Sequence, residues 1–395
     1  MMLDKSTVLN AVESRKQEII DLLCKLISIE SVTNNEVNAQ KFVRGFFEEL
    51  GMEIDEWEID LNTLSQFKGF SPLEGLSYEG RPSVAAIWRG KKDENHLLFN
   101  GHIDTVQADD TKKWISPPFE GVIRDGRLYG RGSADMKGGI AAAMMAIKIL
   151  KELGFEPEGN IVYTSTPGEE DSVNGTLGFI ERGYTAKQAI IPECCGMKIM
   201  PGNAGMFSFD IEVKGLQAHH GLSYMGVNAY EKAMVVYNAM LAFQKHRTET
   251  VSHPLFAEYE VPVPINMGMI HADNCRWCVP PSAVMECCGE YYPGENAEDV
   301  YEQLKAFVLK ETAKDPWLKE NPPQFRWVMK SYASEAKNSE KFVADLSEAY
   351  KEVTGREAPI SALACGCDQS VYNLFTDTPA VLLGPGPMEE AHTEN

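Results

Sequence analysis

Five short apolar runs, each ending in a cluster of polar residues, constrain this chain more than any other feature. They are SVAAIW (83–88), HLLFNGHID (96–104), NIVYTSTPGEE (160–170), QAIIPE (188–193) and PAVLLGPG (379–386). Between the second and third lies GGIAAAMMAIKILKEL (138–153), which reads as a largely buried helix. Residues 6–29 carry apolar side chains at helical spacing. Residues 37–51 place Phe42, Phe46, Phe47 and Leu50 on one helical face, with Gly51 as the stop. Strands alternating with helices predict an α/β fold with a mostly parallel sheet flanked by helices. In open sheets of that kind, sites form beyond the carboxyl ends of the strands. The polar clusters sit where that rule puts a site.

Residues 204–318 are patterned differently. MFSFDIEVKG (206–215) alternates like a strand with one exposed face, and VNAYEKAMVVYNAMLAFQK (227–245) reads as an amphipathic helix. PINMGMI (264–270), AVMECCGEYY (283–292) and the helix AEDVYEQLKAFVLKE (297–311) follow. This predicts an inserted α+β domain over 204–318, within a discontinuous first domain made of 1–203 and 319–395.

Charge narrows the partners. Asp and Glu number 58 against 37 Lys and Arg, a net charge of -21. Such a surface repels phosphate backbones and anionic lipid, so neither nucleic acid nor a membrane is expected as a partner. Solubility is the ordinary reading of the excess. No run of about 18 apolar residues exists to span a bilayer, and the N-terminus lacks an apolar signal core after a basic start. Nine cysteines, an odd number in a long chain, fit free thiols in a reducing cytoplasm better than a disulfide scaffold.

The polar clusters hold the chemistry. His102 and Asp104 form an H-x-D, and on an extended segment residues i and i+2 point the same way. Asp104 could therefore tune His102 as a carboxylate tunes a metal-binding imidazole. Asp135 lies among Gly130, Gly132, Gly138 and Gly139. It reads either as a helix cap or as a carboxylate bridging two cations. Glu169 and Glu170 are adjacent at a strand end, where they repel unless cations or protons neutralise them. Glu193 and His392 complete the group. Each residue alone has an ordinary surface or structural explanation. Together, two histidines and three carboxylates at the ends of separate segments match the ligand set of a dinuclear zinc, cobalt or manganese site, with Glu169 left over as a base.

The motifs NGHIDTV, PFEGVIRDGRLYGRGSADMKGG, PGEEDSVNGTLG, IIPE, VKGLQAHHG and GPGPMEEAHT run in order from about residue 80 to the end of the chain. In these the chain resembles the metallohydrolase family of aminoacylases, acetylornithine deacetylases, succinyl-diaminopimelate desuccinylases and glutamate-type carboxypeptidases. RPSVAAIWRG looks most like the deacetylase and desuccinylase branch. The resemblance implies that His102 and Glu193 bind one metal, Glu170 and His392 the other, and that Asp135 bridges both. Asp104 would orient His102, and Glu169 would act as general acid/base. His219, with His220 as its neighbour and competitor, would stabilise the oxyanion, often in a partner subunit. The family fold is a catalytic α/β domain with an inserted lid that commonly dimerises. A homodimer binding two divalent ions, zinc foremost and cobalt or manganese as alternatives, is therefore expected. It would cleave the amide of a small N-acyl amino acid or a short peptide. A dipeptidase or carboxypeptidase on the same scaffold, or a non-catalytic metal- or peptide-binding relative, are the competing readings.

Some features depart from that family. HADNCRWCVPP replaces the usual Gly-Gly and Asn pattern, and Gly289 and Glu290 stand near where relatives often carry an Arg. Cys194 and Cys195 follow Glu193 where relatives often have Pro and Thr. The chain stops three residues after His392, where the family usually continues into a last helix, so a shortened sequence is expected. Cys275 and Cys278 form a C-x-x-C with Cys287 and Cys288 nearby. These are expected to be buried thiols rather than a structural zinc site, because the second spacing is wrong for a zinc ribbon.

Overall fold

A computed structural model describes residues 3–272 and 275–393. Asp273 and Asn274, in the altered HADNCRWCVPP stretch, and the last two residues lie outside the described residues. The chain divides into two compact units. The first comprises Met1–Gly202, Glu335–Ile360 and Cys367–Asn395, and the second Asn203–Ser334 and Ser361–Gly366.

The first unit is built on a six-stranded sheet. Its order is Glu53–Glu58, Pro82–Trp88, Asn160–Thr166, Asn95–His102, Gln188–Ile191, Ala380–Leu382. The last four run parallel to one another, and the first two pair antiparallel. All five apolar runs of the sequence are strands of this sheet. Every residue of Asn160–Thr166 is buried, as a continuous apolar run in the middle of a covered sheet requires. Helices Val37–Glu49, Lys137–Glu152 and Asn174–Glu181 pack against the strands. Phe47 meets Tyr163 with ring centroids 4.7 Å apart. The helical pattern of 6–29 is two helices, Lys5–Ser14 and Lys16–Ser28, broken at Arg15.

The second unit has a four-stranded antiparallel sheet, ordered Ile265–His271, Ser282–Tyr291, Gly205–Lys214, Gln324–Lys330. One face packs on the helices Ala229–Thr250 and Ala297–Thr312. Phe207, Phe209, Ile211 and Val213 alternate inward to meet Val236, Met240, Phe243, Leu304 and Val308. This unit differs from the expected insertion at its end. Gln324–Lys330 pairs with Gly205–Lys214, so the segment that a return at residue 319 assigns to the first domain belongs to this sheet. QFRWVMK interleaves Arg and Lys with its apolar residues, and only its long-range partner makes it a strand. Among the described residues, no helix is long and apolar enough to cross a membrane.

Two glycines separate packing from propensity. Gly139, inside Lys137–Glu152, has the Pro192 carbonyl where a side chain would go, one residue before Glu193. Gly45, inside Val37–Glu49, has open space there. Gly45→Ala should stabilise by about 0.5–1 kcal/mol, because alanine favours helix. Gly139→Ala should destabilise by about 1–3 kcal/mol through overpacking. Urea midpoints of both variants check this, and equal shifts would contradict it.

Candidate metal centre

The parallel strands deliver their polar ends to one place. His102 is the last residue of Asn95–His102, Glu169 and Glu170 follow Asn160–Thr166, and Glu193 follows Gln188–Ile191. Asp135 immediately precedes the turn into Lys137–Glu152, and His392 comes after the strand Ala380–Leu382. The tight path around Asp135 needs glycine: Gly132 has φ +82°, and a side chain there would strike Thr105.

Asp135 stands between the two histidines. One carboxylate oxygen lies 3.1 Å from His102 Nε2, and the other 3.3 Å from His392 Nε2. Glu193 Oε1 lies 3.5 Å from His102 Nε2, and Glu170 Oε2 2.9 Å from His392 Nε2. The ligating atoms thus fall into two groups sharing Asp135. Glu169 Oε2 is 3.9 Å from His102 Nε2. Asp104 accepts hydrogen bonds from the N–H groups of Glu169 and Glu170, at 3.1 and 3.2 Å, and from the Thr33 hydroxyl at 3.0 Å. His102 Nδ1 meets the main-chain carbonyl of Asp104 at 3.1 Å and its carboxylate at 3.6 Å. A cavity of about 430 Å³ opens beside Glu170 and His392, lined also by Thr33, Asn34 and Val106.

The electrostatics are those of crowded buried acids. Burial, then the neighbouring carboxylates, raise Glu169 well above the usual range. Glu193 is pushed up to about 8 by burial first and then by Asp135, Asp368 and Glu170. Burial would depress His102, but Glu193, Asp104 and Asp135 outweigh it and raise it well above the ordinary imidazole value. Donating hydrogen bonds to the Asp135 and Glu170 carboxylates raises His392 to about 10. Protons therefore neutralise the cluster when no cation does. Imidazole nitrogens and carboxylate oxygens on this spacing fit a pair of divalent cations of the zinc, cobalt or manganese kind.

Of the residues singled out in the sequence, His102, Asp104, Asp135, Glu169, Glu170, Glu193 and His392 come together in the first unit. His219 lies in the second unit, exposed, with its Nδ1 accepting from the Gly221 N–H at 3.3 Å. Three participants were not read from the sequence. Asp368 is fully buried, and its Oδ2 accepts from Asn100 Nδ2 at 3.1 Å in a network with Thr164, Thr166 and Thr176 beneath His102. Burial, opposed by His102, leaves it at about 6. Lys137 is fully buried and donates to the carbonyls of Leu26 and Ile29, and burial lowers it to about 7. Arg81 forms a buried pair with Glu36 at 2.6 Å and packs against Gly168, which precedes the two glutamates. The signal for Asp368 was an Asp before a helix in a Cys- and Gly-rich turn, which also describes an ordinary cap. Cys194 Sγ lies within 4.8 Å of ligand atoms of Asp135 and Glu193.

Residues 98–395 match the family model described as peptidase family M20/M25/M40. The chain belongs to this family. It is therefore a hydrolase of amide bonds from a metal-dependent family. It is 28% identical to an N-formyl-4-amino-5-aminomethyl-2-methylpyrimidine deformylase of Halalkalibacterium halodurans, over 97% of this chain and 90% of that one. A Bacillus subtilis protein of the same name is also 28% identical, with 97% and 91% covered. A probable succinyl-diaminopimelate desuccinylase of Staphylococcus aureus is 26% identical over 62% of this chain and 56% of its own length. Among solved structures, a dipeptidase from Saccharomyces cerevisiae superposes with a TM-score of 0.74 at 16% identity, covering 98% of this chain and 93% of that one. At that identity the likeness establishes the fold.

The raised imidazoles and the raised Glu193 give a direct test. Metal ligands must be deprotonated, so a cation has to displace these protons. Zinc titrated at pH 7 should release protons, and its affinity should weaken as pH falls. Calorimetry in two buffers of different ionisation enthalpy measures the release, and equal heats in both would contradict it.

Proposed function

We propose that this chain hydrolyses the amide bond of a small N-acyl amino acid or a related N-acyl amine at a centre of two divalent cations. The observation that carries the reading is Asp135, with one oxygen at His102 Nε2, which Glu193 also approaches, and the other at His392 Nε2, which Glu170 also approaches. His102, Asp135 and Glu193 would hold one ion, and Asp135, Glu170 and His392 the other. Zinc suits the mixed imidazole and carboxylate donors, and cobalt or manganese are the alternatives. Such ions supply a Lewis acid and a bound water of lowered pKa.

The chain's own residues handle the protons. Glu169 is half-buried, and among the described residues no hydrogen bond commits its carboxylate to another role. It takes a proton from the attacking water and passes it to the leaving amine, a task suited to a carboxyl with a raised pKa. Asp104 positions both glutamates through their N–H groups and fixes His102 through its carbonyl. On the resemblance alone, His219 is assigned to oxyanion stabilisation. The second unit is assigned as the lid and the homodimer contact, and nine cysteines outside any disulfide fit a cytoplasmic setting.

A second reading, a dipeptidase, shares the same centre. Glu290 bears on the choice. Burial pushes its carboxyl to about 8, and it stands near where relatives often carry an arginine. An acid there offers no cationic contact to a carboxylate on the leaving group, which weighs against N-acyl amino acids and dipeptides alike and toward an N-acyl amine.

A panel of N-formyl, N-acetyl and N-succinyl amines and amino acids, with dipeptides, separates the readings. Glu169→Gln should keep metal content and lower kcat on the best substrate by about 10²–10⁴-fold. Full metal occupancy with no turnover of any panel member by the unaltered chain would favour a binding protein. For His219, the expected outcome is that His219→Ala and Glu169→Gln subunits, each inactive, recover activity when mixed. No recovery would remove the shared-site assignment.

A further inference from the structure

The second unit carries a chemical feature outside the metal-ligand set. Cys275 and Cys278 are the ends of a four-residue turn, closed by the Cys278 N–H donating to the Cys275 carbonyl at 3.1 Å. Their sulfurs lie 3.0 Å apart, and neither is in a disulfide. A closure of about 1 Å would reach a disulfide bond length. The expectation of buried thiols fails here, because Cys275 is exposed and Cys278 half-buried. Only Cys287 of the four faces the core, where its inward position on Ser282–Tyr291 puts it.

The turn is tied to the histidine pair. Cys278 bridges His219 in antiparallel register, and Val279 N–H donates to the Ala218 carbonyl at 2.8 Å. His220 N–H donates to the Trp277 carbonyl at 2.9 Å, and its ring lies 5.6 Å from the Trp277 ring. The rings of His219 and His220 are 4.3 Å apart. Residues 218–220 and 277–279 therefore form one short ladder, with the dithiol turn at its end.

Cys275 differs from the buried cysteines Cys195 and Cys287. The hydrogen bond from Cys278 holds Cys275 below the usual thiol range and raises Cys278 itself. Burial raises Cys195 to about 11 and Cys287 to about 12. An exposed thiol of lowered pKa attacks disulfides, whereas buried thiols of raised pKa do not. Among the described residues, no third histidine, cysteine or carboxylate completes a metal site at this pair.

We propose that Cys275 and Cys278 form a thiol–disulfide exchange site, oxidised by a low-molecular-weight disulfide, whose closure shifts the ladder carrying His219 and His220. Cys275 thiolate attacks one sulfur of the small disulfide, forms a mixed disulfide and expels one thiolate. Cys278 loses its proton to solvent and attacks the Cys275 sulfur, releasing the second thiolate. The protein loses two protons and two electrons, and the small disulfide becomes two thiols.

Oxidised glutathione at neutral pH is the probe, read by mass spectrometry after alkylation of the remaining thiols. The peptide containing 275–278 should lose two hydrogens and regain them with excess reduced glutathione. Cys278→Ser should stop at the mixed disulfide on Cys275, and Cys275→Ser should leave Cys278 largely unmodified. Imidazole resonances of His219 and His220, assigned with His219→Asn and His220→Asn, should shift on oxidation while those of His96 stay in place. A pair that stays reduced in excess oxidised glutathione overturns the site, as does one kept reduced by tightly bound zinc. A disulfide that leaves both resonances unmoved overturns the coupling. None of these readouts depends on turnover, so they stand or fall apart from the hydrolase reading.

Discussion

Asp104 is the interaction on which the centre depends. Its carboxylate is fully buried and accepts from two successive main-chain N–H groups and the Thr33 hydroxyl. Those N–H groups belong to Glu169 and Glu170, so one side chain sets the positions of two others in the turn after a neighbouring strand. Its main-chain carbonyl meets His102 Nδ1, which leaves Nε2 facing Asp135 and Glu193. A buried anion would be costly without such donors. The hydrogen bonds and the His102 imidazole outweigh burial and hold its pKa below the ordinary value.

The surrounding fold keeps like charges together against their repulsion. Parallel strands end side by side, so residues far apart in sequence meet at one edge of the sheet. Beneath them, Asn100, Thr164, Thr166, Thr176 and Asp368 share a buried hydrogen-bond network, in which the Asn100 amide is paired through both its oxygen and its nitrogen. Lys137 ties the start of the helix after Asp135 to the end of Lys16–Ser28. Arg81 and Glu36 brace the turn at Gly168. These groups brace segments next to the ligands rather than the ligands' reactive atoms. They still decide whether the ligand atoms arrive within reach of one another.

Much of this was legible in the residue order. The five apolar runs are strands of one sheet because a run buried on both faces needs no alternation to be recognised. Their polar ends are informative because a buried strand has little other reason to finish in His, Asp or Glu. Local pattern failed where the decisive partner is distant. Gln324–Lys330 reads as mixed polar sequence and becomes a strand by pairing with Gly205–Lys214. The helix break at Arg15 leaves no mark on the apolar periodicity. Asp368 and Lys137 look like a cap and a solvated lysine, and only burial gives them another character.

The sequence by itself determined the alternation of strand and helix, the identity of the acids and imidazoles, and their place at strand ends. Those follow from local periodicity and side-chain chemistry, which act over a few residues. Tertiary structure alone decided that Asp135 stands between His102 and His392, that Asp104 reaches two N–H groups in the turn after another strand, and that Cys275 is exposed beside Cys278. Distances between residues remote in sequence depend on strand order, register and packing, and those are set by the burial of the whole sheet rather than by any one segment.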